Sequence, residues 1–151
     1  MPDEAATLRL GEVCAAGAAN GLALHLRGEL GAGKTTLVRG LLRALGYRGR
    51  VKSPSYTLVE PYGDLRLNLY HFDFYRFKDR SEWLSSGFRE HFNAESLCIV
   101  EWPERAEDLL ALPDLEIHLH YQGEARIASP RACSPAGEAW LASVLSHWRS
   151  S

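Results

Sequence analysis

Apolar residues recur with two different spacings in the first third of the chain, and the change of spacing separates the predicted elements. An alanine-rich segment over residues 7–19 ends at an Asn-Gly pair, which predicts a short helix. Leucines alternate with other residues over 22–26, which is the period of a strand. Over residues 34–45 the apolar positions follow helical spacing, and a glycine ends the segment. The pattern therefore predicts a helix, a strand and a second helix.

The middle of the chain predicts an antiparallel pair of strands followed by a helix. Residues 56–60 and 65–70 have strand character, and a Pro-Tyr-Gly-Asp turn over 61–64 separates them. So short a connection favours a hairpin. Residues 81–92 then predict a helix.

The C-terminal part predicts two further strands and two helices. Residues 97–100 are wholly apolar, which is typical of a buried parallel strand. A helix is predicted from 103 to about 112, and alternating apolar residues over 115–121 predict another strand. The last helix is expected to begin at Ser134-Pro135, a cap residue followed by a first-turn proline. This order predicts one α/β domain over residues 1–151, with a mostly parallel central sheet, an antiparallel hairpin and flanking helices.

The composition agrees with an ordinary folded domain. The 151 residues are 46% hydrophobic and 24% charged, with a net charge of −2, which excludes a disordered or collagen-like chain. Cys14, Cys98 and Cys133 are odd in number and form no Cys-x-x-Cys pair, so we expect reduced, buried thiols. The acidic N-terminus lacks the apolar segment of a secretory signal, and the chain has no run of about 20 apolar residues. We therefore expect a cytoplasmic protein.

Basic residues are concentrated in one part of the chain. Residues 30–59 contain six Lys and Arg and no acidic residue, whereas the rest of the chain is acidic. Such a band could attract a polyphosphate or an RNA backbone. A solvated helix face is the alternative, and the charge pattern alone leaves both open.

A phosphate-binding motif lies between the first predicted strand and the second predicted helix. Residues Gly28–Thr35 match G-x-x-x-x-G-K-[ST] in this strand-loop-helix context. Glycines let successive backbone N–H groups curve around an anion, and the helix N-terminus adds partial positive charge. Lys34 would reach the β- and γ-phosphates, and the Thr35 hydroxyl would bind Mg²⁺. The motif therefore predicts a nucleotide site.

A carboxylate at a neighbouring strand end is expected to hold Mg²⁺ or its water shell. Glu101 ends the apolar strand, and Asp73 follows a strand within an aromatic segment, so both are candidates. A strand-end position without metal contact is the alternative for Glu101. A structural cap is the alternative for Asp73.

Four segments together resemble the bacterial TsaE family, the small P-loop ATPases needed to make threonylcarbamoyladenosine in tRNA. The segments are Gly28–Thr36, Lys52–Leu58, His71–Arg76 and Val100–Glu104, which occur in the family's order. The resemblance implies a P-loop NTPase-like α/β fold, ATP as the nucleotide and Mg²⁺ as the cofactor. It implies the threonylcarbamoyltransferase subunit and its paralogous scaffold as partners, with any tRNA contact indirect. Within the motifs, Ser55 stands where the family usually has threonine.

The resemblance also implies roles for individual residues. Glu101 would be the Mg²⁺ partner together with Thr35, Trp102 would stack on adenine, and the early helix residue Thr7 would contact the nucleotide. For Trp102 the alternative is core packing, and for Thr7 it is a helix N-cap. The expected catalytic residues are Lys34, Asp73 and Glu101, and the expected nucleotide-binding residues are Thr7, Gly31, Ala32, Gly33, Lys34, Thr35, Thr36 and Trp102.

Three other functions are compatible with a P-loop in a chain of this size. A small P-loop kinase would need an arginine-bearing lid, and no clear lid segment stands out in the sequence. A GTPase would carry an N-K-x-D-type guanine motif, which the sequence lacks. A nucleotide-dependent adaptor without catalysis remains open because no catalytic base is obvious. An ATPase that supports tRNA modification, slow alone and stimulated by partners, is the function that we expect.

Overall fold

The central element is a six-stranded sheet in the order β2-β3-β4-β1-β5-β6. The computed structural model describes residues 3–29, 31–51, 54, 59–62, 67–79, 81–83 and 87–150. The strands are β1 (Ala23–Gly28), β2 (Val59–Tyr62), β3 (Leu69–Asp73), β4 (Leu97–Glu101), β5 (Leu115–Gln122) and β6 (Ala125–Ala132). The four inner strands are parallel, and β2 and β6 pair antiparallel at the two edges.

Two apolar clusters cover the two faces of this sheet. On one face, helices α1 (Glu4–Ala16), α2 (Lys34–Ala44) and α3 (Pro135–Ser150) pack over leucines of the inner strands. On the other face, a largely aromatic cluster includes residues of the 3-10 helices η1 (Phe88–His91) and η2 (Pro103–Ala106). The predicted α/β class, with a mostly parallel sheet, an antiparallel hairpin and flanking helices, is confirmed.

Helices α1 and α2 approach each other through glycines. A Cβ added to Gly11 of α1 would lie 2.0 Å from the carbonyl oxygen of Leu37, and one added to Gly40 of α2 would lie 2.0 Å from that of Leu8. Only residues without a side chain permit so close a contact. The contact brings the N-terminal half of α1 beside the loop that precedes α2.

The predicted hairpin exists, but its strands are displaced along the chain. Pro61 and Tyr62 were expected in the turn and instead lie in β2, where they pair with Tyr70 and Leu69. The second strand is β3, which ends at Asp73, rather than residues 65–70. β2 is an edge strand, which is the position in a sheet where proline is tolerated. Residues 55–58 and 63–66 lie outside the described residues.

Two helix predictions in the C-terminal half are wrong or only partly met. The helix expected over 103–112 is the short 3-10 helix η2 followed by turns, and Pro113 disfavours helical backbone just before it. Of the helix expected over 81–92, residues 81–83 are helical and Phe88–His91 form η1, after Gly87 at φ 74°. Strand β6 was not predicted, because an edge strand with no buried residue lacks the apolar alternation that marks a strand.

The cysteines are free, and the described helices are short of membrane length. Cys14 and Cys98 are buried, and burial raises the pKa of each thiol to about 12, whereas Cys133 is half-buried. The prediction of buried thiols therefore holds for two of the three. Within the described part of the chain, no helix is long and apolar enough to cross a membrane.

Candidate functional site

A cleft of about 400 Å³ opens at the carboxyl ends of the parallel strands. Ligands bind at this edge in open α/β sheets because loops from several strands converge there. The cleft contains six of the predicted nucleotide-binding residues and the three predicted catalytic ones. Its lining residues are Gly31, Gly33, Lys34, Thr35, Thr36, Asp73, Tyr75, Arg76, Glu101, Trp102 and Arg126. Ala32 is buried beneath the loop and is not among them.

The loop from β1 to α2 has the backbone that its glycines permit. Gly28, Gly31 and Gly33 have φ values of 148°, 80° and 107°, which residues with a side chain rarely adopt. Gly33 is also the N-cap of α2, so the first N–H groups of the helix face the cleft without a side-chain partner on the cap. These donors and the helix dipole suit the N-terminal end of α2 to an anion.

Lys34 is buried within the loop and is held by three groups. Its Nζ donates hydrogen bonds to the carbonyl oxygens of Gly28 and Glu29. The same ammonium lies 3.9 Å from the centre of the Trp102 ring, a cation–π distance. Burial lowers the pKa of Lys34, and the carboxylate of Glu101 opposes that shift. A phosphate that binds Lys34 would therefore have to displace one of these three partners from the ammonium group.

Glu101 and Thr35 form the pair expected of a metal site. Glu101 ends β4 and is 3% exposed, and the Thr35 hydroxyl lies 3.0 Å from its Oε2 and 3.3 Å from its Oε1. His71, which sequence reasoning gave no role of its own, lies 2.6 Å from Oε2 through its Nε2. No group of three or more His, Cys, Asp or Glu around one point occurs among the described residues. One carboxylate and one hydroxyl suit Mg²⁺, which keeps phosphate and water ligands.

Asp73 lies beside Glu101 at the end of β3, and the two are paired in the parallel register. Asp73 is 3% exposed, and its Oδ1 accepts a hydrogen bond of 2.9 Å from the backbone N–H of Tyr75. Asp73 thus caps the turn after β3, as the structural alternative expected, and it also lines the cleft. The two interpretations are compatible.

Trp102 lines the cleft, and its stacking on adenine stays a prediction. Its ring covers the Lys34 ammonium, and Lys34 belongs to the phosphate end of a P-loop site. A nucleotide that placed its terminal phosphates at Lys34 would have its base at its other end. The ring packs 5.0 Å from Tyr75, and the backbone of Trp102 has φ 56°, a left-handed conformation that a bulky residue rarely adopts.

Thr7 approaches the loop from α1 and is not the helix cap. Asp3 is the N-cap, since its Oδ1 accepts a hydrogen bond of 2.9 Å from the N–H of Ala6. Thr7 is fully buried, and a Cβ added to Gly33 would lie 3.2 Å from its methyl carbon. The N-cap interpretation of Thr7 is therefore wrong, and the residue lies against the phosphate loop.

Two residues of the β5–β6 hairpin reach the loop without having been predicted. The Tyr121 hydroxyl donates a hydrogen bond to the carbonyl oxygen of Gly31, and Arg126 lines the cleft next to Gly33. Both follow from the pairing of β5 with β6, in which Tyr121 is opposite Arg126. Recognition of β6 as a strand would have been needed to find them.

The described basic residues of the 30–59 window lie in different surroundings. Lys34 is part of the cleft, and Arg39 lies 3.5 Å from the carboxylate of Glu4. Arg43 is exposed on the last turn of α2, where a cation suits the helix dipole. Lys52, Ser53 and Ser55 lie outside the described residues, so the motif segment Lys52–Leu58 is described only at Pro54.

Comparison with known proteins places the chain in one family. A family model described as threonylcarbamoyl adenosine biosynthesis protein TsaE matches residues 1–128. Proteins named tRNA threonylcarbamoyladenosine biosynthesis protein TsaE are 41% identical over 131 residues in Haemophilus influenzae and 40% identical over 123 residues in Bacillus subtilis. These alignments cover 83% and 82% of this chain, and 83% and 75% of the relatives. The crystal structure of Bacillus subtilis YdiB superposes with a TM-score of 0.81 at 29% identity, covering 97% of this chain and 92% of that one. The chain belongs to the TsaE family, whose role is in the biosynthesis of threonylcarbamoyladenosine in tRNA.

Proposed function

We propose that the chain binds ATP with Mg²⁺ in the cleft and hydrolyses it to support threonylcarbamoyladenosine synthesis. The observation that carries this proposal is the convergence of Lys34, Thr35 and Glu101 at the N-terminus of α2. An ammonium, a hydroxyl and a carboxylate at a helix N-terminus are the groups that P-loop NTPases apply to a triphosphate and its cation.

Different groups of the chain would bind the phosphates, the cation and the attacking water. The N–H groups of the loop and of the first turn of α2 bind the phosphate oxygens. Lys34 exchanges its carbonyl partners for the β- and γ-phosphates, and Thr35 with Glu101 would hold Mg²⁺. Bound Mg²⁺ would neutralise part of the charge on the phosphates. Asp73 would orient the water that attacks the γ-phosphorus. The bond from the γ-phosphorus to the β,γ-bridging oxygen breaks as the new P–O bond forms, which leaves ADP and inorganic phosphate and releases a proton to solvent.

Other cleft residues extend the site beyond the motif. Arg126 places a guanidinium beside Gly33, where it would pair with an oxygen of the nucleotide. Trp102 would cover the phosphate end rather than the base. Thr7 does not line the cleft, and it would support the phosphate loop from α1 through its position against Gly33. ATP remains the proposed nucleotide, and the proposed contact of Trp102 moves from adenine to the phosphate end.

The setting of this activity is also a proposal. We infer that the protein acts in the cytoplasm together with the threonylcarbamoyltransferase subunit and its paralogous scaffold. Turnover by the isolated chain would be slow, since a residue supplied or ordered by a partner can contribute about 10³–10⁵ in rate to NTPases. Equal specific activity with and without those partners would contradict partner control.

The test is the fate of the γ-phosphate of labelled ATP, measured with and without candidate acceptors. Release of free phosphate supports an ATPase, transfer to an acceptor supports a small kinase, and binding without either product supports an adaptor. Lys34→Ala should lower hydrolysis by about 10²–10³-fold, the usual effect of removing one charge-stabilising donor. The control is Arg43→Ala on the exposed face of the same helix, which should hydrolyse ATP at the wild-type rate. Undiminished hydrolysis by folded Lys34→Ala would overturn the assignment of the phosphate site.

A further inference from the structure

A buried histidine is joined to the carboxylate that ends β4. His71 lies in β3 with a side chain that is 0% exposed, and its Nε2 is 2.6 Å from Oε2 of Glu101. In the parallel register of β3 and β4, His71 is opposite Ile99, so the ring reaches diagonally to Glu101. His71 is not among the residues that line the cleft. Its contact with the site therefore passes through Glu101.

The hydrogen bonding of His71 is directed at this one carboxylate. A carboxylate oxygen accepts hydrogen bonds, so Nε2 of His71 is the donor in this contact. Nδ1 is buried and has no hydrogen-bond partner among the described residues. A leucine at this position would bury no unpaired polar atom, and the surrounding strand residues Leu69 and Ile99 are apolar. What the histidine adds to the strand is an N–H that points to Glu101.

The two oxygens of Glu101 are held unequally. Oε2 receives the short bond from His71 and a bond of 3.0 Å from Thr35, whereas Oε1 has, among the described residues, only the 3.3 Å contact with Thr35. Two donors from different elements, β3 and α2, fix the plane of the carboxylate. Oε1 is then the oxygen with the weaker protein contact.

We propose that His71 is a positioning residue for the cation site: it fixes Oε2 of Glu101 so that Oε1 is presented to Mg²⁺ or to its bound water. The inference rests on the proposed function, because it requires Glu101 to serve the cation. Hydrogen bonds behind a metal ligand typically contribute about 10–100-fold to metal affinity. A histidine that only fills the core would contribute to stability and leave metal affinity unchanged.

The test uses three variants of the full chain. His71→Leu removes the donor, His71→Gln can place an amide N–H at the position of Nε2, and His71→Asn is too short to do so. Binding of Mn²⁺ to the protein–ADP complex is measured by electron paramagnetic resonance, and binding of ADP is measured with a chelator present. Thermal unfolding is recorded for every variant.

His71→Leu and His71→Asn should weaken Mn²⁺ binding by about 10-fold or more, while ADP binding without metal changes by less than about 2-fold. His71→Gln should recover most of the Mn²⁺ affinity. In a Glu101→Gln background, His71→Leu should cause no further loss, because the group that it positions is gone. Mn²⁺ affinity at the wild-type level in His71→Asn or His71→Leu would overturn the positioning role of His71. Equal loss of Mn²⁺ affinity in the Gln and Asn variants would do the same. Either result would leave the proposed cation site standing. Failure of the wild-type ADP complex to bind Mn²⁺ would overturn the proposed cation site and the inference with it.

Discussion

Replacing Gly40 with alanine tests the packing that brings α1 to the phosphate loop. Two effects of this substitution have opposite signs. Alanine is a better helix former than glycine by about 1 kcal/mol, which would stabilise α2. The new Cβ, however, would lie 2.0 Å from the carbonyl oxygen of Leu8 in α1. The structure therefore decides whether propensity or packing dominates.

The size of the clash indicates that packing dominates. A carbon and a carbonyl oxygen need about 3 Å, so the helices must separate by roughly 1 Å. The obstructing atom belongs to the backbone and cannot turn aside. Overpacking of this kind costs about 1–3 kcal/mol, and a backbone obstacle places Gly40→Ala at the upper end. After the propensity gain, the net loss is roughly 1–2 kcal/mol, or about 2–8 °C in the melting temperature of a chain of this length.

Thermal unfolding followed by circular dichroism measures this loss. Gly11→Ala should behave in the same way, because its Cβ would meet the carbonyl oxygen of Leu37 at 2.0 Å. Glu12→Ala, an exposed neighbour on α1, is the control and should change stability by less than about 0.5 kcal/mol. ADP binding should also weaken in Gly40→Ala, since separation of the helices moves Thr7 away from the loop. A higher melting temperature for Gly40→Ala than for the wild-type chain would contradict the close packing of α1 against α2.

Three further predictions concern the cleft and the core. Tripolyphosphate should change the fluorescence of Trp102 as ATP does, because the ring covers Lys34, and a response to adenosine alone would return the ring to the base. Arg126→Ala should weaken ATP binding roughly tenfold, about 1.4 kcal/mol, whereas Arg131→Ala on the same strand should leave it unchanged. Equal ATP affinities of the two variants in titration calorimetry would exclude a contact between Arg126 and the nucleotide. Burial lowers the pKa of His25 from 6.5 to about 4. As the pH falls below 6.5, the unfolded chain therefore binds a proton at His25 before the folded chain does. The folded state should lose about 2 kcal/mol of stability by pH 5. The melting temperature of His25→Leu should fall less over this pH range, and an equal fall would contradict the assignment.

The sequence predicts best the parts of the site that are local in the chain. Gly28–Thr35 contains the turn glycines, the lysine and the helix start within eight residues, and β4 shows its burial as an unbroken apolar run ending at Glu101. Arg126 and Tyr121 reach the loop only because β6 pairs with β5, which depends on tertiary structure rather than on a local pattern. The motif around His71 is visible in the sequence, but its contact with Glu101 depends on the register of β3 and β4.

The same limit applies to the position of the Trp102 ring. Trp102 directly follows Glu101, and adjacency suggested that one residue would face the metal and the next the base. The left-handed backbone at Trp102 instead turns its ring back over Lys34. A sequence pattern gives the order of the side chains but not this turn, since a positive φ at a bulky residue is sustained by its surroundings. Here those surroundings are the Lys34 ammonium and the Tyr75 ring.

The contacts of Lys34 also determine what its substitution should do to the fold. A buried ammonium is tolerated because two carbonyl oxygens and an aromatic face replace its water. Removal of the ammonium leaves two neutral carbonyls with one partner fewer, which costs much less than an unpaired buried charge. Lys34→Ala should therefore fold, and its loss of hydrolysis would reflect the phosphate site rather than unfolding. In the proposed nucleotide complex, Lys34 would exchange partners rather than gain one. Much of the net attraction would then come from the helix N-terminus, the cation and Arg126.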